Sequence, residues 1–325
     1  MLNRLAVSAL LTSVAFAAPT SMTLAEPFPS RNITVVVPFP PGSGTDTISR
    51  HLSTPMAKAM GKPIVIENRP GANGSIGAAK VASAEPDGYN VLMASTGVLA
   101  VNPWVYPKLN YDPAQDFVPV INAAITPNVI VVHPSFSVNS LQELVSLAKA
   151  QPGVLTFASA GAGSSAHLCG ESLKAATGID ITHVPYQGPA PALQDVLGGR
   201  VSMMCDNLSN ILQHVRQGTL KPIAITAKER AALAPDIPTS AEAGFPDVLA
   251  DNWYGLVVPK GTSRDIIDRL NAEAVKVLKD PGVREKLEAT GLVVIASTPD
   301  EFGTFIAEES ARLRRLVEIA DIRLE

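Results

Sequence analysis

VVVPFPPGSGTDT, residues 35–47, combines a β-branched run, a turn with two glycines and a polar helix start at about Asp46. A strand that leads directly into a helix is the unit from which helix-covered parallel sheets are built. The glycines let the turn expose its backbone N–H groups, and the positive end of the following helix adds to their field. The segment therefore predicts an α/β fold and an anion-binding turn that needs no Arg or Lys.

The middle of the chain repeats this arrangement in LTFASAGAGSSAHL, residues 155–168. A strand again leads through a glycine turn to a polar helix start, with Ser164 or Ser165 as the N-cap. One glycine-rich turn is ordinary in an α/β protein, but two matched turns in one chain indicate a shared ligand. A phosphate or a carboxylate would suit such a pair of turns.

Short β-branched runs alternate with helical stretches along most of the chain, which is typical of βαβ units. Most runs are continuously apolar, as expected for strands buried on both faces. The predicted strands are 33–37, 64–67, 90–94, 129–133, 155–159, 181–186, 201–205, 221–226, 255–258 and 292–295. Ten strands are too many for one compact sheet with its helices at this length, which favours two α/β domains.

Helix starts are marked by two predicted capping boxes. One joins Ser140 to Glu143, and the other joins Thr298 to Glu301 with a proline at the first helical position. Residues 265–279 form a further amphipathic helix. We assign the apolar stripes of these helices to the core.

The alternation is interrupted twice, which predicts two crossings between domains. The first lies within residues 121–128, and the return lies within the proline-containing stretch 227–252. Domain 1 then comprises 26–124 plus 229–325, and domain 2 comprises 125–228. Two crossings make a hinge, and a hinge between two α/β lobes implies a ligand cleft.

The first 25 residues have the order of a secretory signal peptide. Arg4 supplies a positive charge, residues 5–18 are an uncharged apolar run, and small residues end at Ala25. A membrane-spanning helix needs about 20 apolar residues, so the run is short for that role. Cleavage after Ala25 is predicted, with residues 15–17 as the second candidate site and a buried N-terminal helix as the alternative. The mature protein is expected to be exported.

Composition limits the function further. The chain has 325 residues, of which 46% are apolar and 17% charged, and its net charge is -4. The apolar fraction excludes a disordered chain. The mildly acidic balance gives no electrostatic reason to expect nucleic acid or an anionic membrane as a partner.

Catalytic and cofactor motifs fit the sequence poorly. A dinucleotide fingerprint fails because Thr47 stands where the third glycine is needed, and no Gly-Lys-Ser/Thr follows the turn to make a P-loop. No G-x-S-x-G elbow is present, and the five histidines lack metal-ligand spacing. We therefore predict no catalytic residue, no metal and no cofactor.

Five polar or sulfur-containing residues keep alternative roles. Asp46 either caps the first helix or contacts a hydroxyl, ammonium or protonated carboxyl group of a ligand. Asp206 stands at a strand-to-helix position, where α/β sheets bind ligands. His167 is either structural or a ligand contact. Cys169 and Cys205 form a disulfide or act as small buried hydrophobes.

Several motifs together resemble the substrate-binding receptors of tripartite tricarboxylate transporters, also called Bug-type periplasmic binding proteins. They are PFPPGSGTD (38–46), ENRPGA (67–72), PDGY (86–89), SAGAGS (159–164) with HL (167–168), HVPYQG (183–188), DN (206–207) and WYGL (253–256). The resemblance covers essentially the whole mature chain. It implies a two-lobed, type II-like periplasmic binding protein whose α/β domains are joined by a double crossover hinge.

The resemblance also implies which residues bind the ligand. From the first turn these are Phe39, Gly42, Ser43, Gly44, Thr45 and Asp46; from the second, Ala160, Gly161, Ser164 and Ser165; and elsewhere Thr96, Asn128, Tyr186 and Asp206. The chain departs from the family pattern at Ser43, Ala162, Gln187 and Cys205. Lys is common in the family at the position of Gln187. Because this chain lacks that Lys, a partner for a second charged group of the ligand is missing, and a tricarboxylate ligand is not assumed.

These observations predict an exported, monomeric, non-enzymatic receptor. It would capture a small mono- or dicarboxylate and deliver it to a two-component membrane permease. Two alternatives are a ligand sensor for a membrane signalling protein and an exported α/β hydrolase that uses Asp46, His167 or Asp206.

Overall fold

The computed structural model describes residues 27–322, so the predicted signal peptide lies outside the described residues. The strands are β1 (Ile33–Val37), β2 (Ile64–Asn68), β3 (Asn90–Ser95), β4 (Phe117–Val132), β5 (Thr156–Ser159), β6 (Thr182–Pro185), β7 (Met203–Asn207), β8 (Lys221–Ile225), β9 (Asp251–Pro259) and β10 (Val293–Val294). They match the predicted strands closely, except that β4 and β9 extend well beyond the predicted ranges.

The described chain contains eleven α-helices, ten between strands and the last, α11, after β10. They are α1 (Gly44–Met60), α2 (Ser75–Ala82), α3 (Asn102–Val105), α4 (Pro113–Asp116), α5 (Leu141–Ala150), α6 (Ser165–Thr177), α7 (Pro189–Leu197), α8 (Leu208–Arg216), α9 (Arg264–Lys279), α10 (Pro281–Glu288) and α11 (Pro299–Ile319). A 3-10 turn precedes α2 and a π-helical segment, Gly97–Val101, precedes α3. No helix in the described part of the chain is long and apolar enough to cross a membrane.

The two predicted capping boxes differ in detail. At the start of α11 the box is complete, because Thr298 Oγ1 accepts from Glu301 N and Glu301 Oε2 accepts from Thr298 N. At the start of α5, Ser140 Oγ accepts from Glu143 N, but Glu143 Oε2 accepts from Asn139 N instead of the N-cap amide. In the α5 box, the Glu143 carboxylate therefore bonds the amide of the residue before the N-cap.

The ten strands form one hydrogen-bonded path, in the order β2-β1-β3-β9-β4-β7-β5-β6, with β8 and β10 also paired to β4. The expectation that ten strands are too many for one sheet was wrong, because β4 is 16 residues long and pairs with strands of both halves. Residues 117–127 of β4 pair with β9, and residues 128–132 pair with β7 and β8.

The predicted first crossing is a strand and not a loop. Residues 121–128 continue β4 without interruption and are almost entirely buried. Where β4 changes partners, Asn128 N donates to Ala250 O and Asn128 O accepts from Thr226 N. The backbone at the change of partners is thus fully paired, which explains why no loop is needed. The return stretch between β8 and β9 consists of turns, as predicted.

The buried core falls into two halves on either side of this point. In the first half, Val35 and Val37 of β1 face one apolar layer with α1 and α9, while Val36 faces the opposite layer with α2 and α11. In the second half, α5 and α6 cover one face of the sheet and α7 and α8 cover the other. Because each half has its own two-layered core, the chain is two-lobed.

Candidate functional site

The first glycine turn joins β1 to α1 and exposes the start of a long helix. Ser43 is the N-cap, with an extended backbone (φ -69°, ψ 163°) and a side chain that accepts from Asp46 N. Gly42 has φ +83°, a conformation that glycine adopts without strain. The amides of Gly44 and Thr45, the first two helical residues, have no partner within residues 27–322.

Asp46 braces this turn from inside. Its carboxylate accepts from Gly42 N (3.0 Å), from Arg50 Nε and Nη2 (2.8 and 3.0 Å) and from Asn68 Nδ2 (3.0 Å). Burial raises the pKa of Asp46, but the hydrogen bonds from Arg50, Gly42 and Asn68 outweigh it and hold the pKa below the ordinary value. The carboxylate is thus fully engaged within the protein, and Asp46 is not among the residues that line the cavity described below.

The second glycine turn, between β5 and α6, has the same local geometry. Ser164 is the N-cap (φ -70°, ψ 160°) and accepts from His167 N, while its hydroxyl donates to Gly161 O at 2.6 Å. The amides of Ser165 and Ala166, the first two residues of α6, again have no partner in the described chain. The two turns therefore present matched pairs of backbone donors, one pair from each lobe.

Two stacked histidines lie behind the second turn, with ring centroids 3.9 Å apart. His167 Nδ1 accepts from Gly163 N at 3.1 Å, and His183 Nε2 lies 2.6 Å from Ser159 Oγ, which in turn accepts from Gly161 N. Burial lowers the pKa of His183 to about 3, so its ring is neutral. His167 thus holds the turn in shape and does not line the cavity.

The two turns meet at a cavity of about 50 Å³ between the lobes. It is lined by Phe39, Ser43, Gly44, Thr45, Asn73, Ser95, Gly97, Ala160, Ser164, Ser165, Ala166, Pro189, Asp206, Asn207, Asn210, Asn252 and Tyr254. None of these is Lys or Arg, and Asp206 is the one charged residue among them. Four free backbone N–H groups at two helix starts thus supply the positive potential of the site.

The cavity opens toward a wider hollow of about 320 Å³. Phe39, Asn73 and Ala160 border both spaces, and Gly161, Tyr186 and Gln187 line only the outer one. The Tyr186 hydroxyl donates to Asp195 Oδ2 at 2.5 Å, which fixes the ring at the rim.

Twelve of the fourteen predicted ligand-binding residues remain near this site or hold it, in three groups. Phe39, Ser43, Gly44, Thr45, Ala160, Ser164, Ser165 and Asp206 line the inner cavity; Gly161 and Tyr186 line the outer hollow; Gly42 and Asp46 brace the first turn. Thr96 and Asn128 line neither space. Thr96 Oγ1 accepts from Trp253 N, and Asn128 Nδ2 donates to Ser165 O, so both secure neighbouring backbone.

Sequence reasoning missed the floor of the cavity, formed by Asn207, Asn210, Asn252 and Tyr254. The Tyr254 ring closely covers Gly44, since a Cβ on that glycine would lie 2.4 Å from the Tyr254 hydroxyl oxygen. Asn207 and Tyr254 fall within motifs already recognised, DN and WYGL, which could have marked them. Asn210 and Asn252 carry no such signal.

Cys169 of α6 and Cys205 of β7 form a disulfide, with their Cα atoms 6.1 Å apart. This resolves the alternative that the sequence left open. The bond ties α6, which follows the second turn, to β7, the strand that contains Asp206. Among the described residues, no group of three or more His, Cys, Asp or Glu could hold a metal ion.

Comparison with known proteins identifies the family of this chain. The sequence model of the family described as tripartite tricarboxylate transporter family receptor matches residues 48–322. BugT of Bordetella pertussis (strain Tohama I) is 37% identical over 316 residues, which cover 97% of this chain and 96% of BugT.

Two solved structures are similar over nearly all of the chain. Rpa4515 of R. palustris with adipate has a TM-score of 0.87 and 35% identity, covering 91% of this chain and 100% of that one. MatC (Rpa3494) from Rhodopseudomonas palustris with bound malate has a TM-score of 0.84 and 36% identity, covering 89% and 100%. These matches confirm the two-lobed α/β fold and the family resemblance. The chain therefore belongs to the tripartite tricarboxylate transporter receptor family, a family of solute-binding receptors and not of enzymes.

Proposed function

We propose that this chain is an exported receptor that captures a small mono- or dicarboxylate between its lobes and delivers it to a two-component membrane permease of the tripartite tricarboxylate type. In this proposal the receptor acts as a monomer in the periplasm after cleavage following Ala25. The residues that line the inner cavity contact the ligand, and those that line the outer hollow admit it.

The observation that carries this proposal is the convergence of four unpartnered amides on one cavity. Gly44 and Thr45 belong to one lobe, and Ser165 and Ala166 belong to the other. A carboxylate accepts several N–H bonds at once, and two helix N-termini favour its negative charge. Binding by backbone dipoles explains how a protein with net charge -4 can hold an anion without a lysine or arginine.

Two relatives support the ligand class. Rpa4515 was solved with adipate and MatC with malate, and both are small dicarboxylates. The absence of a Lys at Gln187, on the outer hollow of this chain, favours a ligand with fewer negative charges than a tricarboxylate.

We place the moving units at 26–124 plus 229–325 and at 125–228. Donors from both lobes reach the same carboxylate only when the lobes are closed, so the ligand stabilises the closed state by those contacts. The change of partners along β4 near Asn128 provides one connection of the proposed hinge, and the stretch of turns between β8 and β9 provides the other.

Calorimetric titration of ligand-free protein with a panel of carboxylates tests this function. Bound ligand must first be removed by unfolding and refolding with the disulfide intact, because a saturated receptor would show no response. We expect at least one mono- or dicarboxylate to bind and to raise the melting temperature. A ligand-free, folded protein that binds no member of the panel would contradict the proposal.

A proline substitution tests the backbone donors themselves. Ser165 is the first residue of α6, where proline is tolerated, and Ser164 before it is already extended, as a residue preceding proline prefers to be. Ser165→Pro removes one N–H, whereas Ser165→Ala removes only the hydroxyl. A hydrogen bond to a charged group contributes about 1.5–3 kcal/mol, so Ser165→Pro should bind roughly 10- to 100-fold more weakly than Ser165→Ala.

Arg264→Pro is the matched control for this substitution. It removes the same kind of N–H from the first position of α9, whose N-cap Ser263 is also extended and which contributes no residue to the cavity. We expect its affinity to equal that of the wild type. Equal affinities of Ser165→Pro and Ser165→Ala would show that the α6 amides do not hold the ligand.

A further inference from the structure

Two side chains that line the inner cavity keep hydrogen-bond acceptor capacity: Asp206, next to the floor residue Asn207, and Asn252 of the floor itself. Asp206 is 2% exposed, and its carboxylate accepts from Asn207 N at 2.8 Å and from Asn210 Nδ2 at 3.2 Å to each oxygen. Asn210 therefore spends its amide donor group on Asp206. The Asp206 carboxylate keeps further acceptor capacity, and Asp206 lines the inner cavity.

A second acceptor lies on the same floor. Asn252 is 9% exposed, and its Nδ2 donates to the Tyr254 hydroxyl at 3.0 Å. Asn252 Oδ1 is buried and has no hydrogen-bond partner in the described chain. A buried carbonyl oxygen without a partner destabilises the ligand-free state, so a ligand that donates a hydrogen to it binds more tightly.

The two sides of the cavity differ in electrostatic potential. The helix starts at Gly44 and Ser165 attract an anion, while the floor carries a carboxylate with no Lys or Arg among the lining residues to neutralise it. Burial raises the pKa of Asp206 to about 6, which shows how poorly the site solvates that charge. A second ligand carboxylate beside Asp206 would face like charge, whereas a hydroxyl or ammonium group there would donate to the Asp206 carboxylate.

We propose that the ligand is a carboxylate that also carries a hydroxyl or ammonium group, and that Asp206 and Asn252 select it by accepting hydrogen bonds from that group. This inference rests on the proposed function, since it assumes that the carboxylate lies on the helix starts. It adds that plain mono- and dicarboxylates are the poorer ligands.

Calorimetry with matched trios of acids tests the selection. Each trio shares one carbon skeleton and differs in one substituent: propionate, lactate and alanine; succinate, malate and aspartate; glutarate, 2-hydroxyglutarate and glutamate. We expect the tightest ligand to be a hydroxy or amino acid that binds at least 10-fold more tightly than the unsubstituted acid of its trio. If an unsubstituted acid binds as tightly as its partners, the inference is overturned while the proposed function stands. If no acid of any kind binds, the proposed function fails first.

Two variants assign the selection to the floor. Asp206→Asn keeps the shape but replaces a charged acceptor with an amide, so the ratio of affinities within the best trio should fall at least 10-fold. Asn252→Asp turns the amide that carries the unpartnered oxygen into a carboxylate and should shift preference toward the amino acid. Asp236→Asn, on an exposed loop, is the control and should leave both ratios unchanged. An unchanged ratio in Asp206→Asn, with thermal melting confirming the fold, would overturn the assignment.

Discussion

Replacing Asp206 with asparagine is expected to stabilise the ligand-free protein at neutral pH and above. The Asp206 carboxyl is 2% exposed and receives hydrogen bonds only from Asn207 and Asn210 within the described chain. Burial raises its pKa from 3.8 to about 6, and those hydrogen bonds lower it only in part. The folded protein therefore holds this proton more tightly than the unfolded chain does.

The sign and size of the effect follow from this difference. Between pH 3.8 and about 6 the folded state binds more protons than the unfolded state, so the free energy of unfolding falls as the pH rises through this window. Each pKa unit corresponds to about 1.36 kcal/mol, so the full cost above pH 6 is about 3 kcal/mol. Asp206→Asn removes the charge, and its gain should be near zero below pH 3.8 and largest above pH 6.

Denaturant unfolding of both proteins at pH 4 and pH 8, with the disulfide intact, measures this gain. Asp46→Asn is the control of opposite sign, because hydrogen bonds from Arg50, Gly42 and Asn68 overcome burial and lower the Asp46 pKa. Asp46 therefore stabilises the protein above its unfolded pKa, and its replacement should destabilise the protein at pH 8. If Asp206→Asn were no more stable than the wild type at pH 8, the reasoning about an uncompensated charge would be refuted.

Three further changes test the surroundings of the cavity. Replacing both Cys169 and Cys205 with serine opens a loop of 36 residues and should lower the free energy of unfolding by about 4 kcal/mol, measured by denaturant titration; a loss below 1 kcal/mol would contradict this. Gly161→Ala places a side chain at φ +125°, a backbone conformation that only glycine adopts without strain, so it should distort the turn and weaken carboxylate binding roughly 5- to 150-fold by calorimetry. Unchanged affinity would show that the turn relaxes without loss of binding. The pKa of His183 is about 3 in the folded protein against an ordinary 6.5, so the unfolded chain takes up a proton at higher pH, and the free energy of unfolding should fall as the pH drops below 6.5. His183→Gln should flatten this pH dependence in acid titrations. An unaltered pH dependence would argue against a neutral buried ring.

The sequence contained most of the fold because its signals are local. The two glycine turns follow β-branched runs and precede helices, and Ser164 adopts the predicted N-cap geometry. The first helix begins two residues earlier than predicted, at Gly44, and its N-cap is Ser43 and not Asp46. The length of β4 was missed because Pro127 and Asn128 are poor strand formers. They lie in the sheet because β9 on one side and β7 on the other pair with the backbone there, which a single segment cannot reveal.

The candidate site was predicted where it is built from turns and missed where it is built from tertiary contacts. Gly44 and Ser165 stand in recognisable motifs, but Asn210 and Asn252 come from α8 and β9, which meet only after the lobes pack together. Asp46 shows the converse case. Its position in the motif suggested a ligand contact, yet Arg50, one helical turn later, and Asn68 of β2 occupy its carboxylate.

A structure of the receptor with its carboxylate ligand bound tests the central claim most directly. We predict carboxylate oxygens within 2.7–3.2 Å of the amide nitrogens at the starts of α1 and α6, those of Gly44 or Thr45 and of Ser165 or Ala166. The same ligand should reach both lobes at once. A carboxylate held by lysine or arginine side chains, or bound to one lobe alone, would contradict the claim that two helix starts form the anion site.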